Sequence, residues 1–288
     1  MTPDDHAEIL DKLAEGNQRR LIDIMRELEE RIASLVISAP TEDGKLFDLA
    51  WALQARADIA QAMRETYLTG VDEIVGGYTE ISDSLTDLLS QYKSFSGVPP
   101  EVIAQLQQAT FLGFEDVANE YANQLGNELY QYTLAGRPID ESVKNVRQTL
   151  NGVYMQSDQD EINRLVGLAD SGDEEAVRIL HTKYASDRTG NNMRRYANQM
   201  MHDSVMQFNG SLTVATGKEA GVEKWEYYGS TVKDSRQFCR DHVGESYTEE
   251  EIRRIWDSRS WQGKAPGDPF IVRGGYNCRH HWLPDFED

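Results

Sequence analysis

Cysteine is nearly absent, with two in 288 residues. No disulfide framework can be built from one pair, and the usage fits a chain made in a reducing compartment. Cations are also scarce. Lys and Arg total 29 against 49 Asp and Glu, a formal charge of −20. Coating DNA or RNA needs an excess of cations, and so does docking on an anionic membrane, so neither is expected as the main task. Long apolar runs are missing too. The longest, Ile32 to Ala39, is far short of the roughly 20 residues that span a bilayer. The opening MTPDDHAEIL has no basic stretch followed by an apolar one, so no signal peptide is expected. What is present is a full set of aromatics, 13 Tyr, 8 Phe and 5 Trp, which argues for a packed core rather than disorder.

The composition changes along the chain. Residues 219–288 carry ten cationic and fourteen anionic side chains, a net −4, which leaves −16 for residues 1–218. The same last 70 residues hold both Cys, four of the five Trp and three of the six His. Two parts with different tasks are expected, a helical region over 1–188 and a small α+β domain over 189–288. The fold class is mainly α.

The first part reads as helix. Thr2-Pro3-Asp4-Asp5 is a start signal: a cap, a proline suited to the first turn, and two acids at the positive end of the dipole. Leu10, Leu13, Leu21, Ile24, Leu28, Ile32 and Leu35 then recur at spacings of three and four, with polar Asn17 in the stripe. Ala39-Pro40 closes that helix. Further helices are expected from Leu46 to Thr69, Thr79 to Lys93, Glu101 to Leu134 and Asp140 to about Tyr154. Shorter ones follow near 158–170, 173–185 and 190–208. Such stripes suit a solvated bundle and equally a clamp for a partner protein.

The last part is heavy in turns. Val222, Trp225, Tyr227 and Tyr228 predict a strand, and Phe270-Ile271-Val272 a second. Between them Thr248-Glu249-Glu250-Glu251 caps a helix bearing Ile252, Ile255 and Trp256.

Chemistry is concentrated in Cys and His. Cys239 and His242 are two residues apart in the intervening count, Cys278 and His280 one apart, and 35 residues separate His242 from Cys278. Two close pairs joined by a long loop follow the logic of a tetrahedral zinc site. A small turn-rich unit gains most from such a staple. Full occupation by protein ligands makes the site structural, with His281 as the alternative fourth ligand. The same residues also read as buried thiols beside hydrogen-bonded histidines. Thiol catalysis needs a spatially placed His and an orienting group; Asn277 and Asp241 are available, but nothing selects them. Gly217-Lys218 fails as a phosphate loop, since six residues separate Gly210 from Gly217 and Glu219 follows the lysine. Asp234-Ser235-Arg236 and Glu249-Glu250-Glu251 read as surface charge and a helix start. Arg253, Arg254, Arg259, Lys264, Arg273 and Arg279 interleave with Trp256, Trp261 and Trp282, as in some nucleic-acid grooves. The local charge is still negative, so a paired, solvated face is expected.

The order of these residues carries a resemblance. Gly221-Val222-Glu223-Lys224-Trp225 is followed by Asp234-Ser235-Arg236-Gln237-Phe238-Cys239-Arg240-Asp241-His242 and Gly244. Pro266-Gly267-Asp268-Pro269 and Gly274-Gly275-Tyr276-Asn277-Cys278-Arg279-His280 close the segment. This is similar to the C-terminal domain of the bacteriophage Mu protein F-like family of tailed-phage minor head, or head morphogenesis, proteins. The likeness covers roughly residues 190 to 285. The chain departs from the family pattern with His242 and His280 where many members have Cys, and both remain zinc-competent. The resemblance implies a non-enzymatic minor capsid component near the portal, made in the bacterial host cytoplasm and housed inside the virion. It implies several copies at the portal vertex, contact with the portal or major capsid protein, and a part in head assembly or DNA delivery. Contact with packaged DNA is expected to be weak, and none is expected with membranes. Residues 1–188, outside the likeness, are the expected portal- or capsid-binding element. The alternative is a metal-dependent or RNase-like hydrolase using the Cys/His module.

Overall fold

The computed structural model describes residues 1–90, 95, 97–154, 192–233 and 235–285, and the scattered residues 164, 165, 167, 168, 173, 175, 176, 179, 188 and 189. The expected helices near 158–170 and 173–185, the end of the Thr79 helix at Lys93, and Asp234 lie wholly or mostly outside them. The chain is mainly α, with long helices first and a few short strands near the end. No helix among the described residues is long and apolar enough to cross a membrane.

The chain forms two compact units. One comprises Met1–Leu21, Gly70–Glu115 and Asn198–Asp288, the other Ile22–Thr69 and Asp116–Ala197. They are interleaved along the sequence, and each boundary falls inside a continuous helix.

Helix α1 (Pro3–Ile37) starts where the Thr2 signal places it. Thr2 Oγ1 accepts from Asp5 N, and Asp5 Oδ2 accepts from Thr2 N at 2.8 Å, so the first turn is capped from both sides. Its buried stripe is His6, Leu10, Ala14, Asn17, Leu21, Met25, Leu28, Ile32 and Val36. Leu13, Ile24 and Leu35 flank this stripe and are half-buried. A long helix presents several nearby rows at similar spacing, and only the neighbours decide which one is covered.

In the second unit a hairpin, β1 (Thr41–Glu42) and β2 (Lys45–Leu46), turns through Asp43 and Gly44, both at positive φ. Asp48 Oδ1 accepts from Ala50 N and Trp51 N and starts α2 (Leu49–Ala62). A π-helical turn, Met63–Leu68, leads into α3 (Thr69–Gly76). Helix α4 (Thr79–Leu89) and the start of α5 (Pro100–Leu134) belong to the first unit, and the rest of α5 and α6 (Ile139–Asn151) to the second. A two-residue pair, β3 (Val153–Tyr154) and β4 (Arg188–Thr189), follows α6.

The first unit contains the sheet. Helix α7 (Met193–Glu219) runs past the expected end near 208, straight through Asn209-Gly210 and Gly217. Those glycines are contact points, not breaks: a Cβ at Gly210 would sit 2.5 Å from Phe270 O, and one at Gly217 would enter the Trp225 ring. After α7 come β5 (Lys224–Tyr228), α8 (Gln237–His242), β6 (Ser246–Thr248), α9 (Glu249–Ser258), α10 (Pro269–Val272) and β7 (His281–Pro284). The antiparallel sheet has the order β6-β5-β7, with Trp225 opposite Tyr247 and Tyr227 opposite Trp282. The strand expected at Phe270-Ile271-Val272 is instead the short helix α10. Asp268 Oδ1 accepts from Phe270 N and Pro269 occupies the first turn, and together these start a helix that the β-branched residues alone do not suggest. The cap expected at Thr248 is present, as a capping box with Glu251.

Candidate metal centre

Strand β5 alternates, so Trp225 and Tyr227 face one side of the sheet while Glu226 and Tyr228 face the other. Both inward rings are buried, in a core with Phe238, Trp256, Phe270 and Trp282. Helix α8 brings Cys239 to this core, and the loop after α10 brings Cys278 and His280. Cys239, Cys278 and His280 offer their ligand atoms within 4.8 Å of one another, and all three are buried. These three residues could hold a metal ion. The sulfurs are 3.8 Å apart, and Cys278 Sγ lies 3.5 Å from His280 Nδ1. A tetrahedral ion with bonds of about 2.3 Å to sulfur and about 2.0 Å to nitrogen holds such donors roughly 3.8 and 3.5 Å apart, so the donor set fits.

Glycine keeps the space between the sulfurs open. A Cβ on Gly274 would lie 2.6 Å from Cys239 Sγ, 2.9 Å from Cys278 Sγ and 3.0 Å from Tyr227 Oη. The Gly274 carbonyl is held outward by a hydrogen bond from Trp261 Nε1, 2.9 Å away. Gly229 has the matching role behind His280, where a Cβ would meet Cδ2 at 2.9 Å.

The two thiols act on each other. Cys278 is held well below the usual thiol range, chiefly as acceptor of the hydrogen bond from Cys239, with His280 and the Arg273 charge helping. Cys239, as donor, is pushed far up. Burial raises the Tyr227 phenol well above its ordinary value, and the adjacent thiols add to that.

The loop bearing Cys278 is anchored from α7. Asp203 Oδ1 accepts from Asn277 N at 2.8 Å and from Arg273 Nη2 at 3.2 Å, and the Asp203 and Arg273 side chains are both buried. Arg273 and Asn277 both adopt positive φ. Neither Asp203 nor Gly274 stands out in the sequence as a site residue. The only hint is the Gly274-Gly275 pair, which reads as a plain turn.

Two expected ligands are elsewhere. His242 shares α8 with Cys239, but its Nδ1 is 2.8 Å from Tyr247 Oη and its ring packs on Phe238. Burial pushes its pKa down, helped by Arg259. His281, the first residue of β7, lies opposite Tyr228 and shares its face of the sheet, the face away from Tyr227. There it meets the rings of His6 and Tyr228 at 5.9 and 5.7 Å. Asp241 is paired with Arg259.

The interleaved cations are engaged. Arg253 pairs with Glu249 and Asp268, Arg254 with Glu251, Arg259 with Asp241, Arg273 with Asp203 and Arg279 with Glu15. Lys264 lies over Trp256 and Trp261 and donates to two carbonyls. Lys218, the failed phosphate-loop lysine, binds Glu249.

No protein-family model, no curated protein and no solved structure matches this chain.

Proposed function

We propose that this chain is a minor head protein of a tailed phage, acting in head morphogenesis at the portal vertex. In this reading Cys239, Cys278 and His280 bind Zn2+ as a structural staple of the C-terminal α+β unit, and the protein is not an enzyme. Several copies sit inside the capsid near the portal. Residues 1–188 contact the portal or the major capsid protein.

One observation carries the reading. The residues of the ordered C-terminal pattern are also the residues that meet in one core: Trp225, Cys239, Gly274, Cys278 and His280. A pattern whose members converge in space describes a structural unit, not a coincidence of spacing. Burial of both sulfurs supports a staple over a catalytic thiol, which must be reached by its substrate. The paired cations support weak rather than tight contact with packaged DNA.

The test is assembly. Phage heads made with and without this chain are purified and imaged at the portal vertex. The expected result is density at that vertex only when the chain is present, with fewer infectious particles when it is missing. Unchanged heads and full infectivity overturn the reading. So does turnover of nucleic acid or peptide bonds by the purified protein that is lost on Cys239→Ala, which establishes the hydrolase instead.

A further inference from the structure

Three protein donors leave one corner of a tetrahedron open, and the two histidines nearest in sequence do not fill it. The atom that faces both sulfurs is the Tyr227 hydroxyl. Tyr227 Oη lies 3.6 Å from Cys239 Sγ and 3.5 Å from Cys278 Sγ. We propose that Tyr227 Oη is the fourth donor, completing a tetrahedron of two thiolates, one imidazole and one phenolate around Zn2+.

The inference rests on the metal-binding reading of the cluster and adds to it a ligand of unusual type. Its basis is the set of separations. Around an ion with bonds of about 2.3 Å to sulfur and about 2.0 Å to oxygen or nitrogen, tetrahedral edges are roughly 3.8 Å for two sulfurs and 3.5 Å for sulfur with oxygen or nitrogen. Four of the six edges are 3.8, 3.5, 3.5 and 3.6 Å, and Cys239 Sγ lies within 4.8 Å of a His280 ring nitrogen. A phenol has one proton and can donate to one sulfur at a time. Near-equal distances to two sulfurs suit a vertex of a coordination polyhedron better than a single hydrogen bond.

Access and rigidity agree. Tyr227 is fully buried, so the corner it occupies is closed to solvent. Its ring is fixed by Trp282 at 4.6 Å and lies near-parallel to His280, 5.4 Å away with 14° between planes. The missing Cβ of Gly274 leaves space against the two sulfurs and this oxygen together. On coordination, the phenol and thiol protons leave to solvent, and the oxygen binds as phenolate.

The experiment uses the full chain, stripped with a chelator and titrated with Zn2+ and then with Co2+ as a spectroscopic probe. Wild type should bind one ion, give the intense visible bands of tetrahedral thiolate-bound cobalt, and develop a tyrosinate difference absorption on either metal. Tyr227→Phe should lose the tyrosinate signal, bind Zn2+ at least about tenfold more weakly, and show altered cobalt bands. If Tyr227→Phe keeps wild-type affinity and bands, and wild type gives no tyrosinate signal, Tyr227 is not a ligand, although the metal centre stands. If wild type binds no stoichiometric metal, both ideas fall. Should the variant fail to fold, the tyrosinate signal of the wild type decides alone.

Discussion

Asp203 accepts a hydrogen bond from the backbone N–H of Asn277 at 2.8 Å, across 74 residues of sequence. The same oxygen takes the Arg273 guanidinium. One carboxylate on a helix thus holds the strained turn that delivers Cys278, and its loss leaves a buried arginine without its ion partner.

Asp203→Ala should therefore cost roughly 3 to 5 kcal/mol, the usual penalty for orphaning one partner of a buried pair. It should also weaken metal binding, because Cys278 is no longer held. Urea denaturation with and without added Zn2+ measures both. A loss below about 1 kcal/mol would show that Arg273 finds another partner.

Removing the metal should destabilise the wild type. An ion at a hundredfold excess over its Kd contributes about 2.7 kcal/mol. A chelator should lower Tm and Zn2+ should restore it, whereas Cys278→Ser and Cys239→Ser should have a low Tm that neither addition changes. Calorimetry of the three proteins under both conditions decides.

Gly274→Ala places a methyl 2.6 and 2.9 Å from the two sulfurs. Overpacking of this kind costs about 1 to 3 kcal/mol. The variant should also lose its metal by elemental analysis, since the added carbon takes the space between the donors. Wild-type metal content in this variant would place the ion elsewhere.

Stability should fall with acid through His6. The ring is buried between Ser84 Oγ and Asn209 Oδ1, each 2.9 Å away, and beside the His281 ring. Burial pushes its pKa down to about 4. The unfolded chain binds this proton below about 6.5 and the native one does not, so stability rises with pH through that interval. This contribution is complete above about 6.5 and declines as pH drops toward 4, by up to about 1.4 kcal/mol per unit from this one residue. Denaturation midpoints from pH 7 to 4.5 test this, with His6→Gln expected to flatten the slope.

Helices announce themselves because their signals are local. Thr2, Asp48 and Thr248 cap their own next turns, so the starts of α1, α2 and α9 need no distant partner. Local signals mislead where a distant group takes over. The helix expected near 190–208 stops short of Gly210, yet Phe270 packs against Gly210 and Trp225 against Gly217, and the helix continues. Phe270 to Val272 has strand composition, but Asp268 and Pro269 commit the backbone to a helical turn first.

The candidate site divides the same way. Its ingredients were legible in the sequence: two cysteines, close histidines and a composition that shifts after residue 218. Spacing sets which residues are close along the chain, so it nominated Cys239, His242, Cys278 and His280 together, with His281 in reserve. Only the tertiary structure decided which donors face one point. Strand pairing puts His281 on the Tyr228 face of the sheet, Tyr247 engages His242, and β5 presents the Tyr227 hydroxyl to both sulfurs. Coordination depends on the direction of side chains from separate elements, and that direction is set by packing rather than by distance along the chain.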